Sequence, residues 1–217
     1  MSEEVRIRAY EPRDRSSVRR LSCETALRGE PVDSLFSDRE VVADLLTRYY
    51  TTYEPEACWV AECQERVAGY LTGCLNQRRY QRLQCTCIVP RASLRAILGG
   101  ALCRRETWRL LRAALRIWRL GGVRSPRLPE GYSAHLHINL ERRWRGQGIG
   151  ERLVERFLQQ ATAARIHGVC ASVRNDNPAA CRLFERLGFV PLARVPSILP
   201  VGETLAQHET IVYGKAR

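Results

Sequence analysis

Six residues, Arg145-Gly146-Gln147-Gly148-Ile149-Gly150, constrain this chain more than any other stretch, because they join two runs of different period. Before them, Ala134 to Leu140 alternates apolar and polar residues, the period of a strand; after them, Ile149 to Ala164 repeats apolar residues at steps of three and four, the period of a helix. Glycines at such a junction let the backbone approach a ligand closely, and the first turn of the helix offers free N–H groups backed by the positive end of its dipole. A strand, a glycine turn and a helix start in that order form a seat for an anion. The turn has neither the Gly-x-x-x-x-Gly-Lys-Ser/Thr order that serves Mg²⁺-assisted phosphoryl transfer nor the Gly-x-Gly-x-x-Gly order of dinucleotide folds.

The rest of the chain limits what that seat can belong to. At 217 residues with 45% hydrophobic content, one compact domain spanning 1–217 with a full core is the simplest organisation. The longest apolar stretches, such as Ala96 to Cys103, fall short of the roughly 18 residues a spanning helix needs, and the charged start from Glu3 is unlike a signal peptide. Nine cysteines without a Cys-x-x-Cys pair or a zinc-like Cys/His spacing read as reduced, mostly buried thiols, so no metal is expected and the cytoplasm is the expected compartment. The net charge of +12 admits a nucleic acid or a membrane surface as partner, yet Lys215 is the only lysine, and an arginine skew of that kind also follows from genome composition.

Taken in order, Val5 to Tyr10 predicts a first strand and Arg13 to Leu27 a surface helix broken by Gly29 and Pro31. Ser37 with Glu40 resembles a capping box that starts a second helix from about Asp38 to Tyr50. Cys58 to Cys63 and Val67 to Cys74, joined by a polar turn, predict an antiparallel hairpin. Residues 76–130 are read as a variable helical segment. In it Trp108, Leu111, Leu115 and Trp118 form one stripe, and Arg105, Arg109, Arg112, Arg116 and Arg119 another. Three roles are open for this basic amphipathic helix: an anionic-surface anchor, an oligomer contact such as a homodimer, or simple packing on the domain with a solvated arginine face. After the loop from Ser125 to Gly131, Ala134 to Leu140 turns Leu136, Ile138 and Leu140 one way and His135, His137 and Asn139 the other. A strand at Val169 to Val173 leads to Asn177-Pro178, an N-cap with proline at the first helical position. A short helix then runs to Leu187, and strands at Phe189-Val190 and Glu209 to Tyr213 complete the chain.

Arg145-x-x-Gly148-x-Gly150 after a strand, followed by Asn177-x-x-Ala180-x-x-Leu183-Phe184-x-x-x-Gly188-Phe189, resembles the GNAT superfamily of N-acetyltransferases. The resemblance covers at least residues 132–195. It implies an α/β (α+β) fold with one mixed, mostly antiparallel twisted sheet, helices on both faces, and strands that splay at the cofactor site. It also implies acetyl-coenzyme A as co-substrate, with its pyrophosphate on Arg145, Gly146, Gln147, Gly148, Ile149 and Gly150. The pantetheine arm would lie along Ile138, Asn139 and Leu140, with Asn177, Cys181 and Phe184 on its other side. More narrowly, Ala134 to Leu140 with Val173-Arg174-Asn175-Asp176 resembles the acetyltransferase-like domain related to the C-terminal part of O-GlcNAcase enzymes, including bacterial stand-alone forms, without implying glycosidase activity.

The implied reaction is direct attack of a primary amine, on a small molecule, peptide or protein, upon the thioester. A backbone N–H near Leu140 would meet the oxyanion. The slot where such enzymes usually carry a tyrosine beside the leaving sulfur holds Phe184, which lacks the hydroxyl; Cys181 lies one helical turn earlier. For the base, His135 and His137 titrate in the useful range, and Glu141 and Asp176 are competing carboxylates at strand ends. Asn139 stands where the narrower group tends to carry an acid, and an amide cannot take a proton. Binding of acetyl-coenzyme A without turnover, as a sensing or scaffold module, is therefore the alternative.

Overall fold

The computed structural model describes residues 4–25, 38–119, 130–201 and 204–217. Leu27, Gly29, Pro31, Ser37 and residues 120–129, which include most of the Ser125 to Gly131 loop, lie outside the described residues, as do the side chains of Leu111 and Trp118.

Seven strands form one sheet in the order β1-β2-β3-β4-β5-β7-β6. They are β1 (Arg6–Ala9), β2 (Cys58–Cys63), β3 (Arg66–Cys74), β4 (Tyr132–Leu140), β5 (Gly168–Arg174), β6 (Val190–Val201) and β7 (Thr204–Ala216). Every neighbouring pair is antiparallel except β4 and β5, which run parallel. The expected mixed, mostly antiparallel sheet is thus present. Its β2–β3 hairpin turns on Gln64 and Glu65, whose φ of 48° and 62° give the left-handed two-residue turn that matches strand twist.

Helices cover both faces because the strands alternate. On one face, Leu71, Leu136 and Val173 pack with Leu153, Val154, Phe157 and Phe184 from α6 (Ile149–Ala163) and α7 (Pro178–Arg186). On the other, Val60, Val67 and Tyr70 pack with Val18, Leu21, Tyr49 and Tyr50 from α1 (Arg15–Thr25) and α2 (Arg39–Tyr53). The N-cap of α2 is Asp38, whose carboxylate accepts from the N–H groups of Glu40 and Val41, both at 3.1 Å; Ser37 of the expected capping box lies outside the described residues. Between β3 and β4 the chain forms α3 (Gln77–Leu83), a π turn (Gln84–Ile88), α4 (Val89–Leu98) and α5 (Arg105–Arg119). Only α5 shows in the sequence as a distinct helix. Along α4 Ala92 is the buried residue, and the apolar residues Leu94, Ile97 and Leu98 face away from the core.

Phe157 is fully buried, and its ring presses so close to β3 that a Cβ on Gly73 would lie 2.0 Å from Cε2. Replacing Phe157 by Ala is expected to lower unfolding free energy by about 3–5 kcal/mol in a denaturant titration with an unchanged slope.

Candidate active site

The strand β4 pairs with β3 along its distal half, from Cys74–His135 to Gly69–Leu140. Its pairing with β5 runs only from Tyr132–Gly168 to Leu136–Ala171, while β4 continues to Leu140 and β5 to Arg174. The two strands therefore part beyond Leu136, as the expected splay requires. In an antiparallel ladder the N–H and C=O of one residue point to the same side, and sides alternate along the strand. Glu141 N–H donates to Ala68 O at 3.0 Å, toward β3. Ile138 and Leu140 consequently direct their backbone groups toward the side that β5 has left, and Leu140 O there accepts from Arg145 Nε at 3.1 Å.

Directly after β4, a single turn at Arg142–Trp144 leads into the glycine turn. Gly146 and Gly148 have φ of 78° and 75°, in the left-handed region that favours glycine, and nothing lies within 4 Å of where a Cβ on either would sit. Gly148 is the N-cap of α6 and supplies no side-chain cap, so the first N–H groups of this 15-residue helix have no side-chain partner at the cap. Gly150 is in contact with the splayed strand: its Cβ would meet Ile138 Cδ1 at 3.5 Å, Leu140 Cδ1 at 3.6 Å and Leu183 Cδ2 of α7 at 3.3 Å. The turn, the distal half of β4 and α7 thus converge. Gln147 Nε2 donates to Arg143 O at 2.9 Å, which braces the turn from below.

From the other side, Asn177 accepts from Ala180 N–H at 3.2 Å and caps α7, so its side chain is committed to starting that helix. Cys181 is half-buried, with its thiol toward Arg174 O at 3.8 Å. Phe184 is 2% exposed and lies against Phe189, edge to face at 5.1 Å, and Tyr213 at 6.1 Å. Its ring belongs to the core beneath the turn.

The polar residues of β4 face the α1 and α2 side. His135 Nε2 bonds Tyr50 Oη at 2.8 Å and its ring packs on Tyr80 at 4.7 Å, leaving Nδ1 buried and without a hydrogen-bond partner. Burial, then the neighbouring His137, push its pKa down to about 3. His137 touches Tyr50 at 5.9 Å and His135 at 5.4 Å, yet its side chain is open to solvent. Protein surrounds it without covering it, and that desolvation lowers its pKa, so it is neutral near pH 7. Asn139 Nδ2 donates to Tyr70 Oη at 2.9 Å. Both acids are engaged: Glu141 with Arg20 at 3.3 Å and Arg143 at 3.1 Å, Asp176 with Arg174 through two bonds of 3.0 and 2.8 Å. Sequence reasoning missed Tyr50, Tyr70 and Tyr80. The signal was the tyrosine density at 49, 50 and 53, a helical stripe whose destination only the sheet order reveals.

A family profile described as the acetyltransferase (GNAT) family matches residues 25–189, 165 of the 217 residues. The chain belongs to this family. Among solved structures similar to this GNAT chain is that of SsHAT, at 24% identity, covering 98% of each chain with a TM-score of 0.70. An N-acetyltransferase from Staphylococcus aureus Mu50 superposes with a TM-score of 0.59 at 13% identity, over 98% of both chains. The yncA protein from Salmonella typhimurium, solved with its cofactor acetyl-CoA, superposes with a TM-score of 0.57 at 15% identity, over 98% of this chain and 94% of that one. At these identities the likeness establishes the GNAT fold. Among the described residues there is no group of three or more His, Cys, Asp or Glu able to hold a metal.

The histidine pair makes the stability of this GNAT domain depend on pH. Between the folded value of about 3 and the unfolded 6.5, the unfolded chain holds a proton on His135 that the folded chain refuses. Stability should therefore fall as pH drops through that window, with a slope from this residue approaching ~1.4 kcal/mol per pH unit. His135→Gln should flatten the slope in denaturant titrations between pH 4 and 6.5, to a precision of about a few tenths of a kcal/mol. An unaltered slope would contradict the assignment.

Proposed function

We propose that the chain transfers an acetyl group from acetyl-coenzyme A to a primary amine of a small molecule, peptide or protein by direct attack on the thioester. The observation that carries this reading is the convergence of an open glycine turn, the uncapped start of α6 and the unpaired edge of β4 at one place. The pyrophosphate would sit on the Arg145 to Gly150 turn and take N–H groups from Gly146 onward, since that of Arg145 is given to Arg142 O, and the amides of the pantetheine arm would pair with Ile138 and Leu140. Gly146 and Gly148 leave the space such a group needs. Acetyl-coenzyme A supplies the activated acyl group. The chain's own contribution is to hold it against β4, to offer the Leu140 N–H to developing negative charge, and to remove a proton from the amine.

For that proton we favour His137. It is neutral near pH 7 and open to solvent, while Glu141 and Asp176 are tied to arginines and Asn139 has no basic site. The narrower kinship, with the acetyltransferase-like domain related to O-GlcNAcase enzymes, rests on the residues of β4 and on Val173 to Asp176. The nine cysteines are thiols rather than disulfides, and a reducing, cytoplasmic setting is the one we propose. A binding module without turnover is the second reading, favoured by the buried phenyl ring of Phe184 where a hydroxyl would serve the leaving sulfur.

Release of free coenzyme A thiol across a panel of amines tests the assignment. His137→Ala is expected to lower kcat by about 10²–10⁴ with affinity for acetyl-coenzyme A unchanged. Binding without thiol release on any amine would support the module. Placing a carboxylate in the seat by Gly146→Glu should weaken acetyl-coenzyme A at least about tenfold, by charge repulsion at the helix start. Unchanged affinity would move the pyrophosphate elsewhere.

A further inference from the structure

The net basic charge of this protein is not spread over it. Residues 77–119 contain eleven arginines and one acid, Glu106, a balance of +10 out of the chain's +12. Arginines occur throughout the chain, 23 of the 34 outside this segment, so what sets the segment apart is that it holds one of the chain's 23 acids. Among the described residues the same segment carries most of the exposed large apolar side chains. Leu94, Ile97 and Leu98 stand one helical turn apart on α4 and are 56%, 49% and 78% exposed, so the apolar face of this helix points away from the protein. Leu102 and Trp108 continue the surface at 48% and 47%, held together by Trp108 Nε1 donating to Leu102 O at 2.8 Å. On α5, Arg105, Arg112, Arg116 and Arg119 are exposed along one side, with Leu115 beside them at 47%.

We infer that α4 and α5 form a peripheral docking surface for an anionic lipid bilayer, with Leu94, Ile97, Leu98 and Trp108 entering the headgroup boundary and the arginines meeting lipid phosphates. Helices that lie on bilayers combine one apolar face with basic flanks, and tryptophan favours the interface. No described helix is long and apolar enough to cross the membrane, so the contact is superficial. Two other partners fit less well. A second copy of this chain would set +10 against +10 across the same surface. A nucleic acid would use the arginines but has no use for three adjacent aliphatic side chains.

Flotation with vesicles tests this on the whole protein. Phosphatidylcholine vesicles containing about a third phosphatidylserine should carry the protein at low salt, pure phosphatidylcholine should not, and ~0.5 M salt should release it. The triple variant Arg105→Glu, Arg112→Glu, Arg116→Glu should weaken binding by roughly a hundredfold or more, since each basic residue near an anionic surface contributes about one kcal/mol. Leu94→Ser with Leu98→Ser should weaken it about tenfold by removing the apolar contact. The salt titration of the unaltered protein stands independently of how the variants fold, and acetyl-coenzyme A affinity reports on the seat separately. Absence of vesicle binding at low salt overturns the inference. So does duplex DNA binding as tight as vesicle binding with both insensitive to the leucine changes, which would mark a nucleic-acid surface. Dimers that dissociate on Leu94→Ser with Leu98→Ser, without vesicle binding, would mark a contact between copies and overturn it equally.

Discussion

The interaction on which the rest of this structure depends is the unequal pairing of β4. It is bonded to β3 up to Leu140 but to β5 only as far as Leu136. One edge of the strand is therefore satisfied within the sheet and the other is left with backbone donors and acceptors, which in a protein interior demand partners. The two departing strands have separate anchors. Beyond the fork, β5 is held by β7 as far as Arg174–Thr210, and Asn175 N–H donates to Glu209 O at 2.8 Å. Gly150 lets the start of α6 close on the freed part of β4, in contact distance of Ile138 and Leu140. The opening is thus built into sheet order rather than into a movable loop.

Two kinds of chemistry sit on the two faces of this strand. On the α6 side, Leu136 and Ile138 pack into the main core and fix β4 against the glycine turn. On the α2 side, His135 and Asn139 are held by Tyr50 and Tyr70, both kept as neutral phenols by burial that raises their pKa. His137 alone of these three keeps its side chain open to solvent. The same aromatic and hydrogen-bonded surround, by keeping His135 neutral, makes the protein sensitive to acid.

Much of this was legible in the sequence. The glycine turn, the helix after it and the Asn177–Pro178 helix start carry signals that are local, and each lies where its residues place it. The β2–β3 hairpin was equally plain. The fork was inferred only by family resemblance, because pairing length depends on which strand neighbours which, and β7 enters between β5 and β6 from the end of the chain. The partners of His135 and Asn139 come from residues 85 and 69 positions away, beyond the reach of any local pattern. The expected start of α2, about Asp38, lies within one residue of Arg39, where the helix begins with Asp38 as its cap. In 76–130, helices whose apolar faces meet solvent give a periodicity that does not say what they pack against.

The central claim is that the free edge of β4 and the turn that follows it receive acetyl-coenzyme A. Amide hydrogen exchange resolved at Ile138 and Leu140 tests it most directly, since those two N–H groups point into the fork and have no ladder partner in β5. The account predicts exchange that is fast in the free protein and slowed at least about tenfold by saturating acetyl-coenzyme A, together with protection at Gly148 to Gly150. Exchange at Ile138 and Leu140 that is unchanged by a saturating concentration of the bound ligand would contradict it.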